Sequence, residues 1–196
     1  MPIEIEKKYR LTKEQRNAIV RRLRKFGAPA GPPEFEENTL YGGGRLDLGG
    51  CALRLRRVKG KAILTFKQRF PSKSPIKHQR EEETEVADGK TVNSILQELG
   101  FRPALIYEKR RRRWKVGRAE VAIDELPFGL FMEIEAGEKE IARVERMLGA
   151  ESLSAVMETY PFLTAELGKD RNGVVEARFA TSARKRSTRP VRNRLR

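Results

Sequence analysis

Charged side chains occupy alternate positions in the first ten residues of the chain. Glu4, Glu6 and Lys8 are each separated by one residue, and Ile3, Ile5 and Tyr9 belong to the opposite set. Alternate side chains of a β-strand leave the same face, so a strand here places two carboxylates and an ammonium group together. An ordinary half-exposed strand with a buried apolar face shows the same alternation. This segment alone therefore leaves a charged site and a plain surface strand both open.

The same alternation returns in four later segments of the chain. Two of them carry like charges two residues apart, Arg54 with Arg56 and Glu133 with Glu135. The other two extend the pattern over three positions, and they contain Glu81, Glu83 and Glu85 in one case and Lys109, Arg111 and Arg113 in the other. Five strands with same-face charges of both signs are hard to explain as five solvated faces. A closed barrel explains them, because charged faces can line its lumen while apolar faces meet helices outside.

The elements predicted around these segments fit such a barrel. A capping box of Thr12 and Gln15 predicts a helix that ends at Gly27. Further helices are predicted over 91–99, 139–148 and 152–159 from their apolar spacing. Strands are predicted over 2–10, 34–41, 52–59, 61–68, 79–87, 105–115, 118–124 and 130–136. Seven or eight strands joined by short turns indicate an α+β fold, with an antiparallel sheet closed into a barrel and helices packed outside.

The register of the strand around Arg80 has two alternatives. Either Arg80, Glu82 and Thr84 face the lumen, or Glu81, Glu83 and Glu85 do. The all-glutamate face matches the other strands better and is the preferred interpretation. A slip of one residue would invert this assignment, since the side-chain period of a strand is two.

Composition limits the classes of protein that this chain can belong to. Its 196 residues are 38% hydrophobic and 35% charged, and they suffice for one sizeable core. No apolar run approaches the length of a membrane span, and no secretory signal is visible at the N-terminus. The single cysteine and single histidine exclude an internal disulfide and a Cys/His zinc site. We therefore expect a cytoplasmic protein.

The formal net charge of +15 predicts a polyanionic partner. Much of it lies in residues 168–196, where ten Lys and Arg oppose Asp170 and Glu176, so that ten minus two gives +8. The region has little apolar periodicity, so residues 166–196 are predicted to be a disordered basic tail. The tail is either a solvated extension or a weak contact for RNA or another polyanion.

The predicted lumen combines basic and acidic walls. The basic residues are Lys8, Arg54, Arg56, Lys67, Lys109, Arg111 and Arg113. The acidic residues are Glu4, Glu6, Glu83, Glu85, Asp124, Glu133 and Glu135. Lysine and arginine bind phosphate oxygens, arginine in a bidentate manner, and clustered carboxylates hold hard divalent cations such as magnesium. Together the two sets predict a site for a metal-bound polyphosphate.

The ordered set of motifs resembles CYTH domains, the triphosphate tunnel metalloenzymes. Ile3-Glu4-Ile5-Glu6-Lys7-Lys8 is similar to the Glu-x-Glu-x-Lys signature of that family. The similarity continues, in the family's order, through the segments 52–57, 64–67, 80–86, 107–111, 124–129 and 133–135. One departure is Gly42, where the family often has an aspartate, and no site residue is therefore assigned to the strand 34–41. The resemblance implies an eight-stranded antiparallel tunnel, occupying residues 1–165, that acts on triphosphates with a divalent metal.

The resemblance also implies roles for individual residues. It implies that Glu4, Glu6 and Lys8 are catalytic. It implies phosphate contacts for Lys8, Arg54, Arg56, Lys67, Lys109 and Arg111, and Mg²⁺ or Mn²⁺ ligands among Glu4, Glu6, Asp124, Glu133 and Glu135. The alternation adds Arg113 to the predicted phosphate contacts and Glu83 and Glu85 to the predicted metal ligands. The expected activity is either hydrolysis of a nucleoside, thiamine or inorganic triphosphate, or conversion of ATP to cyclic AMP and pyrophosphate as in class IV adenylate cyclases. The alternative is a non-catalytic module that binds polyphosphate or an RNA 5′-end.

Overall fold

The computed structural model describes residues 3–29, 31–44, 46, 50–71 and 74–180. Its strands are β1 (Ile3–Leu11), β2 (Ala28–Pro29), β3 (Glu34–Gly42), β4 (Cys51–Val58), β5 (Lys61–Arg69), β6 (Ile76–Val86), β7 (Arg102–Val116), β8 (Ala119–Leu126), β9 (Gly129–Glu135), β10 (Lys169–Arg171) and β11 (Val174–Ala177). Its helices are α1 (Lys13–Phe26), α2 (Gly89–Glu98), α3 (Glu138–Leu148) and α4 (Tyr160–Leu167). None of the helices in these ranges has the length and apolar character needed to cross a membrane.

Eight strands form a closed antiparallel barrel, which confirms the predicted fold. Going round the barrel, β1 is followed by β6, β5, β4, β3, β7, β8 and β9. The circle closes because β9 pairs with β1 as well as with β8. The β4–β5 hairpin turns at Lys59 and Gly60, whose φ values of 51° and 77° are those of the tight turns that suit the twist of paired strands.

The register places every charged alternation on the inner face of the barrel. Residues directly opposite each other in an antiparallel pair share a face. Glu6 lies opposite Lys77 on β6 and opposite Glu135 on β9, and Lys8 lies opposite Glu133. On β6, Glu81 lies opposite Lys67 of β5, and Glu83 and Glu85 continue the same face. The preferred glutamate register is therefore confirmed.

The apolar faces of the strands pack against helices outside the barrel, as predicted. The largest core cluster joins Ile19 and Leu23 of α1 and Ile141 of α3 to Trp114 and Met132 of the sheet. α1 begins at the predicted capping box, in which Thr12 and Gln15 exchange hydrogen bonds. These contacts cover much of the outer surface of β1, β7, β8 and β9 and leave their inner faces to line the lumen.

The helix predicted over 152–159 is wrong. Residues 151–159 are turns and irregular backbone, with one bridge between Ala155 and Tyr9. α4 instead starts at Tyr160, where the Thr159 side chain accepts a hydrogen bond from the Phe162 N–H and Pro161 occupies the first turn. Proline suits the first helical turn because its missing N–H has no helical partner there.

The domain boundary predicted at residues 165 and 166 stays a prediction, and it does not coincide with the end of a structural element. It falls inside α4, and β10 and β11 follow as a hairpin whose second strand runs parallel to β7. Arg178 extends this contact, since its guanidinium lies 2.6 Å from Glu37 and 3.0 Å from Glu108. The free edge of the long β7 strand supplies backbone partners that the low apolar content of the segment did not suggest. Residues 181–196 of the predicted tail lie outside the described residues.

Candidate active site

All fourteen predicted site residues lie on the inner face of the barrel, and most of them form ion pairs there. The bases of the inner face include Lys8, Arg10, Arg54, Arg56, Lys67, Arg69, Lys77, Lys109, Arg111, Arg113 and Lys115. Its carboxylates are Glu4, Glu6, Glu34, Glu36, Glu81, Glu83, Glu85, Glu120, Asp124, Glu133 and Glu135. Burial of so many charges is tolerated only because opposite charges alternate around the lumen.

One wall of the tunnel is built by β1, β5 and β6. Lys67 Nζ lies 2.8 Å from Glu4 and 2.5 Å from Glu81, so it joins two strands. Gln79 donates a second hydrogen bond to Glu4 at 2.9 Å. Burial, and a hydrogen bond with Glu81, raise the pKa of Glu4 in spite of the Lys67 charge. Glu4 thus lies beside one lysine, but the charge of that lysine does not offset the effects that raise the pKa of Glu4.

The neighbouring wall carries the two arginines of β4. Arg56 Nη2 lies 2.7 Å from Glu83, which also accepts a hydrogen bond from Thr65 at 3.0 Å. Arg54 lies 3.6 Å from the same carboxylate. Glu85, in contrast, sits at the tunnel rim, where its side chain is 56% exposed and pairs with Lys61 at 2.9 Å. The structure therefore places Glu85 away from the other predicted carboxylates.

The third wall is a dense ion-pair network on β7, β8 and β9. Arg111 donates two hydrogen bonds to Asp124, at 2.7 and 2.6 Å, and a third to Glu133. Lys8 approaches Glu133 to 3.4 Å across the sheet. Burial raises the pKa of Glu133, but the charges of Arg111 and Lys8 outweigh it and hold that pKa well below its usual range. Glu133 is therefore ionised, and both carboxylates are partners of the bases.

Tyr160 of α4 closes this network and was not predicted as a site residue. Its hydroxyl donates a hydrogen bond to Asp124 at 2.8 Å. The ammonium of Lys8 lies 3.9 Å from the centre of the same ring, and that of Lys109 lies 5.4 Å from it. Tyr160 packs in addition against the ring of Phe131. No spacing in the sequence connects a residue of α4 with β7, so this contact could not be read from the chain.

Glu36 of β3 was also missed, although it is fully buried. Lys109 Nζ lies 3.2 Å from its carboxylate, and neither carboxylate oxygen accepts a hydrogen bond from the residues that the structure describes. Burial raises the pKa of Glu36, but the charges of Lys109, Arg111 and Arg56 outweigh it and lower the pKa to about 2. The signal was present, because Glu34, Glu36 and Asn38 alternate like the other charged strands.

Other inner-face residues that the sequence analysis did not assign are Glu34, Lys77, Gln79, Glu81 and Glu120. Lys77 is fully buried and lies 3.2 Å from Glu6. Burial, together with the nearby charge of Lys8, lowers the pKa of Lys77 to about 8. The predicted strand began at residue 79, so Lys77 was left in the preceding loop. The alternation that continues back from Glu81 through Gln79 was the signal that could have identified it.

One end of the tunnel holds carboxylates that repel one another, although Lys67 pairs with Glu4 at 2.8 Å and Arg113 with Glu120 at 3.0 Å. A cavity of about 310 Å³ opens there, lined by Ile3, Glu4, Ile5, Arg118, Glu120, Glu135, Ala136 and Gly137. Burial and the negative charges of Glu4 and Glu120 raise the pKa of Glu135 to about 7. A cation at this end would relieve the repulsion between these side chains.

The seven carboxylates predicted as metal ligands do not form one cluster. In the part of the chain that the structure describes, no group of three or more His, Cys, Asp or Glu side chains is arranged to hold a metal ion. Magnesium is commonly held by one or two carboxylates together with substrate phosphates and water. Glu4 and Glu135, whose pKa values are both raised, fit this mode of binding better than the fully paired Asp124 and Glu133.

Comparison with protein families matches the CYTH domain over residues 2–158, the part of the chain that builds the barrel and the inner face described above. The chain belongs to the CYTH domain family. This confirms the resemblance that the ordered motifs indicated.

Known proteins with similar sequence or fold include several named as adenylate cyclases. A putative adenylate cyclase of Methanocaldococcus jannaschii, MJ0240, is 29% identical over 150 residues, which are 74% of this chain and 83% of that protein. The PH1012 protein of Pyrococcus horikoshii OT3 superimposes with a TM-score of 0.66 at 26% identity, covering 77% of this chain and 94% of that one. The putative adenylyl cyclase HpAC1 from Hippeastrum, described as having a dominant triphosphatase activity, gives a TM-score of 0.62 at 19% identity over 80% and 92% of the two chains. At that identity the likeness to HpAC1 concerns the fold alone.

Proposed function

We propose that this CYTH protein is a divalent-metal-dependent enzyme that hydrolyses a triphosphate inside its tunnel. The observation that carries the proposal is the inner face, where bases from β1, β4, β5, β7 and β6 converge on one lumen. A protein that only supports its own fold would place these charges in water, since burying them costs several kcal/mol for each ion.

Phosphate oxygens would replace the carboxylates that now pair with the bases. Arg54 and Arg56 both approach Glu83, and Arg111 lies between Asp124 and Glu133. A guanidinium that is already oriented by a carboxylate loses little side-chain entropy when phosphate binds. The carboxylates therefore hold the arginines in position for a planar, bidentate contact with the substrate.

The charge balance of the tunnel supports a metal-bound substrate. Lys8, Lys67 and Lys109 each lie within 3.6 Å of at least one carboxylate oxygen, and the arginines do the same. A free triphosphate would add several negative charges to this nearly balanced set. A triphosphate accompanied by divalent cations adds almost none. Bound there, Mg²⁺ or Mn²⁺ would supply neutralisation of the charge that develops on the phosphate oxygens.

Glu4 and Glu135 would hold the cation together with the substrate, at the end of the tunnel where burial and neighbouring acidic groups raise the pKa of both. Tyr160 shields Lys8 and Lys109 from water, because its buried ring lies against both ammonium groups. Fixed donors in a water-poor site stabilise charge on transferring phosphoryl groups better than water does. The chain thus offers a clamp for the phosphates and an acidic end for the reacting group.

Cyclisation of ATP is the second candidate, and the name of the Methanocaldococcus jannaschii relative favours it. In that reaction the ribose 3′-hydroxyl attacks the α-phosphorus, and pyrophosphate leaves. The same clamp of Arg54, Arg56 and Arg111 serves both reactions. They differ in which phosphorus is attacked and therefore in how the substrate enters the tunnel.

³¹P NMR of the products distinguishes these activities. The purified chain is given tripolyphosphate, ATP and thiamine triphosphate with Mg²⁺ and then with Mn²⁺. Orthophosphate from any substrate establishes a triphosphatase, whereas pyrophosphate with a cyclic-nucleotide resonance establishes the cyclase. A folded protein that changes none of the substrates would contradict the proposal and favour a binding module for polyphosphate or RNA 5′-ends.

A further inference from the structure

A second concave surface lies outside the barrel, where α1 crosses the outer faces of β7, β8 and β9. This groove has a volume of about 470 Å³. It is lined by Arg16, Asn17, Val20, Arg21, Arg24, Pro33, Arg110, Arg111, Arg112, Trp114, Ile123, Glu125 and Leu130. We call it the outer groove. Arg111 contributes to its floor, but the Arg111 side chain is bound to Asp124 inside the tunnel.

The arginines of the outer groove are largely without negative partners. Arg110 pairs with Glu125 at 3.2 Å, and both of these side chains are about half exposed, so the pair contributes little. Within the described ranges, Arg16, Arg21, Arg24 and Arg112 form no ion pair with a carboxylate. The Nε of Arg112 is buried and has no hydrogen-bond acceptor. Inside the tunnel, by contrast, the arginines are held by carboxylates.

The two basic surfaces are separated by the wall of the barrel. Side chains of a strand alternate between its faces, so Arg111 and Arg113 of β7 point into the tunnel while Arg110 and Arg112 point into the outer groove. The same strand therefore serves two sites. Occupation of the outer groove does not require any change in the ligand of the tunnel.

We propose that the outer groove binds single-stranded nucleic acid through its phosphate backbone. Arg16 and Arg24 are eight residues apart on α1, which is about 12 Å along the helix axis. A row of that length can contact successive phosphates, whereas a single small anion would occupy one arginine only. Val20 and Leu130, which are partly buried in the floor of the groove, offer apolar surface for the bases or sugars.

The shape of the outer groove favours a strand over a membrane. A lipid surface is flat, and it would touch only the exposed arginines of α1 while leaving Arg112 uncontacted at the floor of the groove. A flexible single strand can enter and reach both the helix and the sheet. The formal net charge of +15 of the whole chain would speed such an encounter.

Fluorescence anisotropy tests this proposal with the full chain and a labelled 20-nucleotide oligo(U) RNA, and with oligo(dT) of equal length. The groove variant is Arg16→Gln, Arg21→Gln and Arg24→Gln combined. The control variant is Lys90→Gln, Lys139→Gln and Arg146→Gln, which removes the same charge from exposed positions on α2 and α3. Both variants keep the same basic C-terminal residues, so any binding by that region is equal in the two.

We expect the groove variant to bind about 50-fold more weakly at 0.15 M salt. Each phosphate contact to a single strand contributes about 0.7 to the salt exponent of the affinity, so the loss of three contacts removes a factor of about 0.15 to the power −2.1. Its plot of log affinity against log salt should be shallower by about 2. Equal losses for RNA and DNA support backbone recognition, and a loss confined to one of them overturns it. Equal weakening by both variants, or no weakening, also overturns the proposal.

A vesicle arm separates the membrane alternative. The membrane alternative predicts that phosphatidylserine vesicles bind the wild type but not the groove variant, while each oligonucleotide binds the groove and control variants equally. That result would show that the surface serves a membrane and that the proposal is wrong. Turnover of the tunnel substrate is expected to be the same in the groove variant and in the wild type. A failure of the proposed tunnel activity would leave the result of this binding experiment unaffected.

Discussion

Replacement of Glu36 by glutamine should destabilise the protein strongly at neutral pH. Glu36 is fully buried beside Lys109, and the surrounding positive charges lower its pKa from 4.5 to about 2. A shift of one pKa unit corresponds to about 1.4 kcal/mol, so the ionised side chain contributes about 3 kcal/mol to the free energy of unfolding at pH 7. The amide keeps the shape of the side chain but leaves the bases without their buried counter-charge.

The pH dependence of this loss has a definite sign. A carboxyl whose pKa is lowered by folding stabilises the protein above its unfolded pKa, and that contribution disappears as the pH falls through the folded pKa. For Glu36 the contribution should fall from about 3 kcal/mol at pH 7 to about 1.4 kcal/mol at pH 3. The difference in unfolding free energy between wild type and Glu36→Gln should therefore narrow to about half over this interval.

Urea unfolding of both proteins at pH 7 and pH 3 measures the gap. Glu151→Gln serves as the control, because Glu151 is exposed and its replacement should change stability by less than about 0.5 kcal/mol. A gap at pH 7 below about 1 kcal/mol, or a gap of the same size at both pH values, would refute the electrostatic reasoning. An equal gap would mean that the amide disturbs packing rather than charge.

Three further predictions address the ends of the tunnel and the C-terminal strand. Tyr160→Phe removes the hydrogen bond to Asp124 and should lower the free energy of unfolding by about 1.5 kcal/mol in urea, and a change near zero would show that water replaces it. Folding raises the pKa of Glu135 to about 7, so ionisation of its carboxyl destabilises the folded protein increasingly between pH 4.5 and about pH 7. In urea unfolding with EDTA, Glu135→Gln should therefore raise the free energy of unfolding by about 1 kcal/mol at pH 8 and leave it unchanged at pH 4. The reverse trend would count against the assignment. Arg178→Gln removes the ion pairs to Glu37 and Glu108, so it should raise the rate of amide hydrogen exchange in β11 without changing the rate in β1. An unchanged exchange rate in β11 would show that backbone pairing alone holds this strand.

The barrel could be predicted because its evidence is local and repeated. Strict alternation in segments such as Glu4 to Lys8 and Lys109 to Arg113 fixes which side chains share a face, and the tertiary structure does not change that parity. The choice of Glu81, Glu83 and Glu85 over their neighbours succeeded for the same reason. Alternation cannot reveal which charges meet across neighbouring walls.

Two of the misses have a different cause, because they depend on contacts between distant parts of the chain. Tyr160 reaches Asp124 from 36 positions away, and the C-terminal strand β11 is ordered by the edge of β7. Glu36 was not predicted because Gly42, where the family often has an aspartate, led to no site residue being assigned to this strand. The alternation of Glu34, Glu36 and Asn38 was not taken into account. The helix predicted over 152–159 was misplaced because Pro161, which suits the first turn of a helix, marks the start of α4 instead.

The central claim is that catalysis takes place on the inner face of the barrel, and two adjacent arginines test it. Arg56 points inward to Glu83 at 2.7 Å, and Arg57 points outward to Glu37 at 3.3 Å. The measurement is kcat/KM for whichever triphosphate releases orthophosphate, in Arg56→Gln and Arg57→Gln, with thermal unfolding as the check on the fold. A charge-assisted hydrogen bond to phosphate contributes about 1.5–3 kcal/mol, so Arg56→Gln should lose about 10- to 150-fold while Arg57→Gln matches the wild type. Equal values for the two folded variants would contradict the account.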